Sequence, residues 1–302
     1  MNWVMLTFSL LTTSMIACSS IFNFFENKIP TFFSKTFRYG KFACKEKVFG
    51  VIDLPKSWFR HFYWVAVISY TFILYQATQV YVFGNEPSHR FLEFLQCLCG
   101  ENRPAHTTAT HIFLALILMT LQAYRRFYDT HFISVYSKNS VMNLSHYLVG
   151  IIHYPGSALA VICEAPNFTH KALSSSVDLD ISQLSYTDIA AVIIFLWAWW
   201  HQHKTTKILA DLRKNEKGDL VSNDHKVPYG DWFDYLSAPH QNAEILMYFS
   251  ITILLWYNIT WFFVFAWVLS NQVETILLSH WWYQETFDKF PKNRKALIPL
   301  IC

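Results

Sequence analysis

Long apolar stretches recur along the chain, and they constrain its fold more than any other feature of the sequence. A helix needs about 20 mostly apolar residues to cross the hydrocarbon core of a bilayer. Five stretches have this length, at 3–25, 61–83, 106–124, 143–163 and 186–203. A sixth runs from Ala243 to Trp282 and is long enough for two helices, so we divide it at Asn258 and Thr260 into 243–257 and 260–282. The sequence therefore predicts an all-α integral membrane protein with seven transmembrane helices.

The composition agrees with this fold class. Apolar residues make up 53% of the chain, aromatic residues 18% and charged residues only 15%, against about 25% charged in soluble domains. Disordered, collagen-like and disulfide-scaffold proteins are excluded on the same grounds. The 24 basic and 21 acidic residues nearly balance, which is unlike a nucleic-acid-binding protein. The six cysteines are scattered, so we expect reduced thiols and no metal site.

The basic residues predict the orientation of the chain. With seven spans, 21 of the 24 Lys and Arg residues fall on one side of the membrane, and only Arg90, Arg103 and Lys171 fall on the other. Because basic loops stay in the cytosol, we expect a lumenal N-terminus and a cytosolic C-terminus. The stretch 3–25 has no basic residue before it, so we interpret it as a retained span rather than a signal peptide. Asn167 opens a glycosylation sequon in a lumenal loop.

Several enzyme classes lack their motifs here. We find no G-x-G-x-x-G, no P-loop and no G-x-S-x-G, and the thirteen histidines do not form clustered boxes. The cytosolic loop 204–242 is basic and rich in aromatic residues, and polar residues lie near the cytosolic ends of the spans. Basic side chains bind anions, aromatic rings stack on planar rings, and apolar helices hold lipids. These residue types predict an enzyme that brings a charged cytosolic cofactor to a substrate dissolved in the membrane.

The C-terminal part carries a specific resemblance. The residues H-W-W-Y at 280–283 and F-P-K-N-R-K-A-L-I-P at 290–299 resemble the closing signature of the steroid 5α-reductase family, H-x-[FW]-Y followed by [YF]-P-K-x-R-K-A-x-x-P. The L-R-K at 212–214 and the segment 228–239 resemble the same family. Within it, G-D-W-F at 230–233 and L-Q-x-x-R-R at 121–126 are most similar to the polyprenol (polyprenal) reductase branch. The resemblance covers roughly residues 110–302.

The resemblance implies a fold, an activity and a site. Family members are seven-helix membrane enzymes that use NADPH to reduce a C=C bond conjugated to a carbonyl, and the polyprenol branch saturates the α-isoprene unit of a polyisoprenoid lipid for dolichol synthesis and protein glycosylation. By analogy the chain is a multi-pass enzyme of the endoplasmic reticulum. The resemblance implies that His280 and Tyr283 are catalytic. The cofactor-binding positions that it implies are Arg126, Gln202, Arg213, Tyr235, Ser237, Glu244, Asn271 and Arg294.

We expect a single membrane domain over residues 1–302, in which 1–105 form variable N-terminal helices and 106–302 form the reductase core. The expected partners are the bilayer, a polyisoprenoid lipid and NADPH, with no nucleic acid and no obligate protein partner. Hydride adds to a C=C bond only when a conjugated carbonyl accepts the charge, so the aldehyde polyprenal is the expected substrate.

The sequence also departs from the family pattern. His240 stands where members commonly have Asn, and Ala123 stands where the steroid-reducing members have a Tyr that polarises the enone. Their second polarising residue is a Glu of the second helix, for which Glu93 is the candidate here. These departures argue against a steroid substrate. A sterol or enoyl-lipid reductase of the same fold, a membrane methyltransferase and a seven-helix receptor or transporter are the alternatives.

Overall fold

Helices make up most of the computed structural model, which describes residues 1–25, 52–137, 140–169, 178–215 and 225–297. In these ranges the α-helices are α1 (Trp3–Phe25), α2 (Phe59–Tyr81), α3 (His89–Cys99), α4 (Ala109–Tyr128), α5 (Leu144–Ile162), α6 (Tyr186–Asp211), α7 (Pro239–Leu254) and α8 (Ile259–Thr286). Two short strands, β1 (Asp53–Pro55) and β2 (Val141–Asn143), form an antiparallel pair.

Helices of 16 to 28 residues overlap all seven predicted spans. Among the described residues, α1 and α8 are long and apolar enough by length and composition to cross a membrane. The crossing of the other helices and the orientation stay predictions. The sequence did not predict the amphipathic helix α3 or the strand pair, and α6 continues to Asp211, beyond the predicted end at residue 203.

The break between α7 and α8 is held by polar contacts at its buried turn. The side chain of Asn258 caps α8 by accepting a hydrogen bond from the backbone N–H of Trp261, at 2.9 Å. The buried carboxylate of Glu164, which follows α5, accepts from the backbone N–H groups of Ile259 and Thr260, both at 2.9 Å. These contacts satisfy amides that a helix start leaves without partners. They confirm that the long apolar stretch contains two helices.

Helix α1 packs along α8 for its whole length. At its start, Asn2 Nδ2 donates to Thr260 Oγ1 at 2.8 Å, and near its end Asn23 Nδ2 donates to Glu274 Oε2 at 3.4 Å. The two helices therefore run parallel. Helix α2 packs against α4 and α5, and α7 packs between α6 and α8. The N-terminal helices are thus part of the same bundle as the C-terminal helices.

The strand pair ties the segment before α2 to the segment before α5. Pro55 lies opposite Val141 in the register, and the next residue, Lys56, donates its backbone N–H to the Ser140 carbonyl at 2.9 Å. The strand pairing of Pro55 and the backbone hydrogen bond of Lys56 itself therefore fix the position of Lys56.

The sequence has two further sequons, which begin at Asn143 and Asn258; both residues have a structural role, because they cap α5 and α8. In the sequon of Asn167, the Oδ1 atom of Asn167 is buried and Thr169 is 1% exposed. The turn that holds this sequon is therefore packed against the bundle, and its glycosylation stays untested.

Candidate active site

A cavity of about 940 Å³ lies inside the bundle, and every long helix contributes to its wall. One part of the wall is apolar and comes mostly from the N-terminal helices and α8. Its members include Leu11, Met15, Phe22, Phe59, Phe62, Val149, Trp267 and Val268. The other part is polar and comes from the end of α4, from α6, α7 and the end of α8, and from the segments before α2, α5 and α7. The cavity can therefore hold a molecule with both an apolar and a charged portion, or two molecules side by side.

The polar part carries an excess of positive charge. Lys56, Arg126, Arg213 and Lys226 line it, whereas Glu244 is the carboxylate found among the described lining residues. Burial and the charge of Arg213 lower the pKa of Lys56. Two cations held close together in a partly buried place repel each other, and a bound anion removes that cost. The polar part is therefore suited to an anionic ligand such as a phosphate.

Seven of the ten predicted site residues line the cavity; they are Arg126, Gln202, Arg213, Ser237, Glu244, Asn271 and Tyr283. His280, Tyr235 and Arg294 are not among the lining residues. The family resemblance predicts that all ten lie near one end of the bundle. Position in the sequence alone does not show which of their side chains point into the cavity.

His280 lies directly behind the wall. Its Nδ1 is 2.7 Å from Ser237 Oγ, and its Nε2 is 2.9 Å from the side-chain amide nitrogen of Gln284. The Ser237 hydroxyl also donates to the carbonyl of Lys295 at 3.3 Å. This set of contacts is satisfied when the Gln284 amide donates to Nε2 and the Nδ1–H of His280 donates to Ser237. His280 therefore orients Ser237, which does line the cavity.

Arg294 and Tyr235 hold the loop before α7 in place. Arg294 is buried, donates from Nη1 to the Pro228 carbonyl at 3.0 Å, and lies over the ring of Tyr229 at 5.1 Å. The side chain of Tyr235 is 56% exposed, while its carbonyl accepts from the backbone N–H of Lys295 at 2.9 Å. The geometry thus gives both residues a scaffolding contact rather than direct access to the cavity.

A buried network supports the lining residues Gln202 and Glu244. The Nε2 group of Gln202 donates to Glu244, and its Oε1 accepts from Arg125. Arg125 in turn donates from Nη1 to Asp129 Oδ2 at 2.8 Å, and Asp129 Oδ1 lies 2.7 Å from His203 Nδ1. This chain of contacts runs from α7 through α6 to the end of α4. It fixes the rotamers of two side chains that point into the cavity.

The sequence analysis missed several residues that line the cavity. Lys56 and Tyr63 line the cavity, and so do Tyr154 of α5 and Tyr248 of α7. The Tyr63 hydroxyl accepts two hydrogen bonds from Arg126, from Nε at 3.1 Å and from Nη2 at 2.7 Å. Aromatic residues are common in apolar helices, so no local signal distinguishes these tyrosines.

Glu93, the candidate for the family's polarising Glu, does not reach the cavity. It is exposed on α3, where it lies 3.5 Å from His89, and it is not among the lining residues. By contrast, Ala123 lines a small pocket beside the main cavity, together with Tyr63, Tyr154 and Glu244.

A bundle whose cavity joins a cationic polar part to an apolar part suits a class of protein that holds an anion next to an apolar molecule. Comparison with protein families indicates the kind of reaction that such a protein catalyses. Residues 168–302 match the family described as 3-oxo-5-alpha-steroid 4-dehydrogenase, which is a family of oxidoreductases.

Curated relatives match almost the whole chain. A polyprenal reductase of Drosophila melanogaster is 33% identical over 306 residues, which covers 99% of this chain and 93% of the relative. A polyprenal reductase of Caenorhabditis elegans is 34% identical and covers 87% and 85%, and one of Homo sapiens is 31% identical and covers 89% and 86%. The chain therefore belongs to the steroid 5α-reductase family, in its polyprenal reductase branch. The relationship extends well into residues 1–105, where the sequence had shown only a hydropathy match.

Proposed function

We propose that this protein reduces the α-isoprene C=C bond of polyprenal with NADPH, as a multi-pass enzyme of the endoplasmic reticulum membrane on the route to dolichol. In this proposal residues 1–302 form one membrane domain of seven spans, with the N-terminus in the lumen and the C-terminus in the cytosol. The observation that carries the proposal is that one cavity has both a cationic polar part and an apolar part. The names of the curated relatives supply the substrate.

The residues of the polar wall fit the cofactor. The cations Lys56 and Arg213 would pair with phosphate oxygens, as guanidinium and ammonium groups do in other phosphate sites. Gln202 lies on α6, and Arg213 follows two residues after this helix ends at Asp211; the helix from Gln202 to its end is about 14 Å long. With the phosphates at Arg213, the reactive ring of an extended dinucleotide would lie toward Gln202 and Glu244. When bound there, NADPH would supply a hydride.

The residues at the closing motif take binding roles in this arrangement. Burial lowers the pKa of Arg213, and the charge interaction with Tyr283 opposes that shift. Tyr283 and Arg213 both line the cavity. Ser237, oriented by His280, would hydrogen-bond to the cofactor near the same place, and Asn271 lines the wall further along α8. The catalytic assignment of His280 and Tyr283 stays a prediction: the position of Tyr283 in the wall favours a contact with the cofactor, whereas His280 acts through Ser237.

The apolar wall suits the isoprene units of the substrate. Side chains of α1, α2, α5 and α8 surround that part of the cavity, and α1 leaves most of its surface exposed. Burying apolar surface contributes about 25 cal/mol per Å², so several isoprene units bind there without polar contacts. The aldehyde would then point toward the polar part, where hydrogen-bond donors are available.

The direct test is an assay of the full-length protein in lipid nanodiscs with NADPH. We expect polyprenal to gain two hydrogens and form dolichal, detected by mass spectrometry, while polyprenol is not reduced. A conjugated steroid ketone and a conjugated enoyl thioester serve as competing substrates. Absence of dolichal, with product formed from one of the competitors, would contradict the proposed substrate. A rate that does not depend on NADPH would contradict the proposed cofactor.

The orientation has its own test. A tag at the C-terminus should be digested by a protease added to sealed microsomes, whereas a tag at the N-terminus should be protected. Protection of the C-terminal tag would place the polar part of the cavity on the lumenal side, away from cytosolic NADPH, and would contradict the proposal.

A further inference from the structure

Tyr63 and Arg126 form a polarised hydroxyl donor in the wall of the cavity. Tyr63 is buried, lines the cavity, and accepts two hydrogen bonds from the Arg126 guanidinium, at 3.1 and 2.7 Å. The guanidinium also lies over the Tyr63 ring, with its carbon 4.9 Å from the ring centroid. A phenol oxygen that accepts from a cation has its own O–H proton directed elsewhere, so the hydroxyl can still donate one hydrogen bond.

Tyr63 lines two adjoining spaces. A small pocket beside the main cavity is lined by Tyr63, Arg126, Ala123, Tyr154 and Glu244. Glu244 is in contact with Gln202, so the pocket lies at the end of the cavity where the proposed function, on which this inference rests, places the reacting groups. Tyr63 thus lies next to Ala123, the position where the steroid-reducing members of the family carry a tyrosine.

We propose that Tyr63 is a catalytic residue that stabilises the oxyanion formed during reduction, and that Arg126 is its positioning residue. It would take the place of the donor that this chain lacks at Ala123. The neighbouring Tyr154, whose ring centroid is 5.5 Å from that of Tyr63, forms the other side of the pocket and is the second hydroxyl within reach.

The step balances as follows. Hydride, carrying two electrons, is added to the carbon β to the aldehyde. The π pair of the C=C bond moves to join the α-carbon and the carbonyl carbon, and the π pair of the C=O bond moves onto oxygen. The Tyr63 O–H donates to that oxygen and passes its proton to it, which gives an enol. The enol then takes a proton from water at the α-carbon, which leaves hydroxide, and returns its O–H proton to the Tyr63 phenolate. The products are the saturated aldehyde, hydroxide and an unchanged enzyme.

The test compares two tyrosines of the same helix. Tyr63→Phe removes only the hydroxyl at the proposed site, whereas Tyr75→Phe makes the same change at an exposed position of α2 that is not in the cavity wall. We expect Tyr63→Phe to lower kcat at least about 100-fold, the lower end for loss of an acid donor. The affinity for NADPH, measured by thermal stabilisation of the purified protein, should stay within about threefold, because the hydroxyl acts on the substrate. Tyr75→Phe should match the wild type in both measurements.

Two variants separate a catalytic from a structural role. Arg126→Lys keeps the positive charge but loses the two-pronged contact, so we expect an intermediate kcat. Tyr154→Phe leaves the Arg126–Tyr63 contact in place and should lower kcat less than Tyr63→Phe does. A kcat for Tyr63→Phe within about threefold of the wild type would overturn the inference. So would an equal loss for Tyr154→Phe, or a loss that follows a fall in NADPH affinity or in thermal stability.

The outcome is independent of the substrate's exact identity. The ratio of variant to wild-type kcat is measured on whichever conjugated carbonyl lipid the wild type reduces, so failure of polyprenal as a substrate leaves the comparison intact. If the wild type reduces none of them, both the proposed function and this inference are wrong.

Discussion

The buried ion pair between Arg125 and Asp129 leads to a prediction about the stability of the protein and the positioning of Gln202 and Glu244 in the cavity wall. Both residues are buried, with side chains 5% and 0% exposed, and the Nη1–Oδ2 distance is 2.8 Å. Asp129 is also 2.7 Å from His203 Nδ1. Replacing Asp129 by Asn keeps the shape of the side chain but leaves the guanidinium of Arg125 without its charged partner.

Removing one partner of a buried ion pair costs about 3–5 kcal/mol. We expect the lower end of this range for Asp129→Asn, because an amide still accepts one hydrogen bond. At about 2 °C per kcal/mol for a chain of this size, the melting temperature should fall by about 6 °C. The affinity for NADPH should fall as well, because Arg125 contacts Gln202, which contacts Glu244 in the cavity wall.

The chain contains a matched control for this measurement. His89 and Glu93 have the same i, i+4 spacing on α3, but their side chains are 86% and 61% exposed. An exposed pair contributes little to stability, so Glu93→Gln should leave both the melting temperature and NADPH binding unchanged. The measurement is a thermal unfolding curve in nanodiscs, with and without NADPH.

A double variant completes the test. In Arg125→Met with Asp129→Leu both charges are gone, and we expect part of the lost stability to return. If Asp129→Asn melts within about 1 °C of the wild type, as Glu93→Gln should, then the pair does not support the site. The two single variants, Arg125→Met and Asp129→Leu, are measured as well. The reasoning would also be refuted if the double variant lost as much stability as the two single variants together, since that result means that the residues do not interact.

Three further changes test other parts of the structure. Lys56→Gln should weaken stabilisation by 2′,5′-ADP at least about tenfold, whereas Lys289→Gln, an exposed change outside the cavity, should have no effect. Gly150→Ala would place a methyl group 2.6 Å from the ring of Phe62, so we expect a loss of about 1–3 kcal/mol in stability and a higher KM for polyprenal; unchanged values would show that the ring moves freely. Glu164→Gln should cost at least about 2 kcal/mol, because its carboxylate accepts three hydrogen bonds at the start of α8; an unchanged melting temperature would contradict this.

The sequence predicted the regular helices well because each is long and apolar. It even located the break at Asn258, a residue that a continuous apolar helix does not need and that proves to cap α8. It missed the three-residue strands, which are too short to leave a periodic pattern. It also missed the 11-residue α3, which is amphipathic but too short for a search based on membrane-spanning length. It also ended α6 early, because its last turns carry Lys and Asp side chains that look like the start of a loop.

The candidate site was predicted where it depends on neighbours in sequence and missed where it depends on neighbours in space. The closing motif and the loop before α7 supplied Ser237 and Tyr283, which line the cavity. The Tyr63–Arg126 contact joins residues 63 positions apart, and no single-sequence pattern indicates such a pair. Lys56 reaches the cavity only because the strand pair brings its segment to the loop before α5. The motif also could not show that His280 points toward Ser237 rather than into the cavity.

The polar interior accounts for one more feature of the chain, the modest hydropathy of its middle helices. Only α1 and α8, among the described helices, pass a test for membrane spans based on length and composition. Helices α4 and α6 carry Gln122, Arg125 and Gln202, which are buried and hydrogen-bonded to one another. Polar groups inside a membrane are costly unless they find partners within the protein. The bundle provides these partners, so the residues that lower the hydropathy of α4 and α6 are the ones that orient the wall of the cavity. Where a chain keeps such residues in otherwise apolar helices, the polar positions point to the site, and here they converge on Gln202 and Glu244.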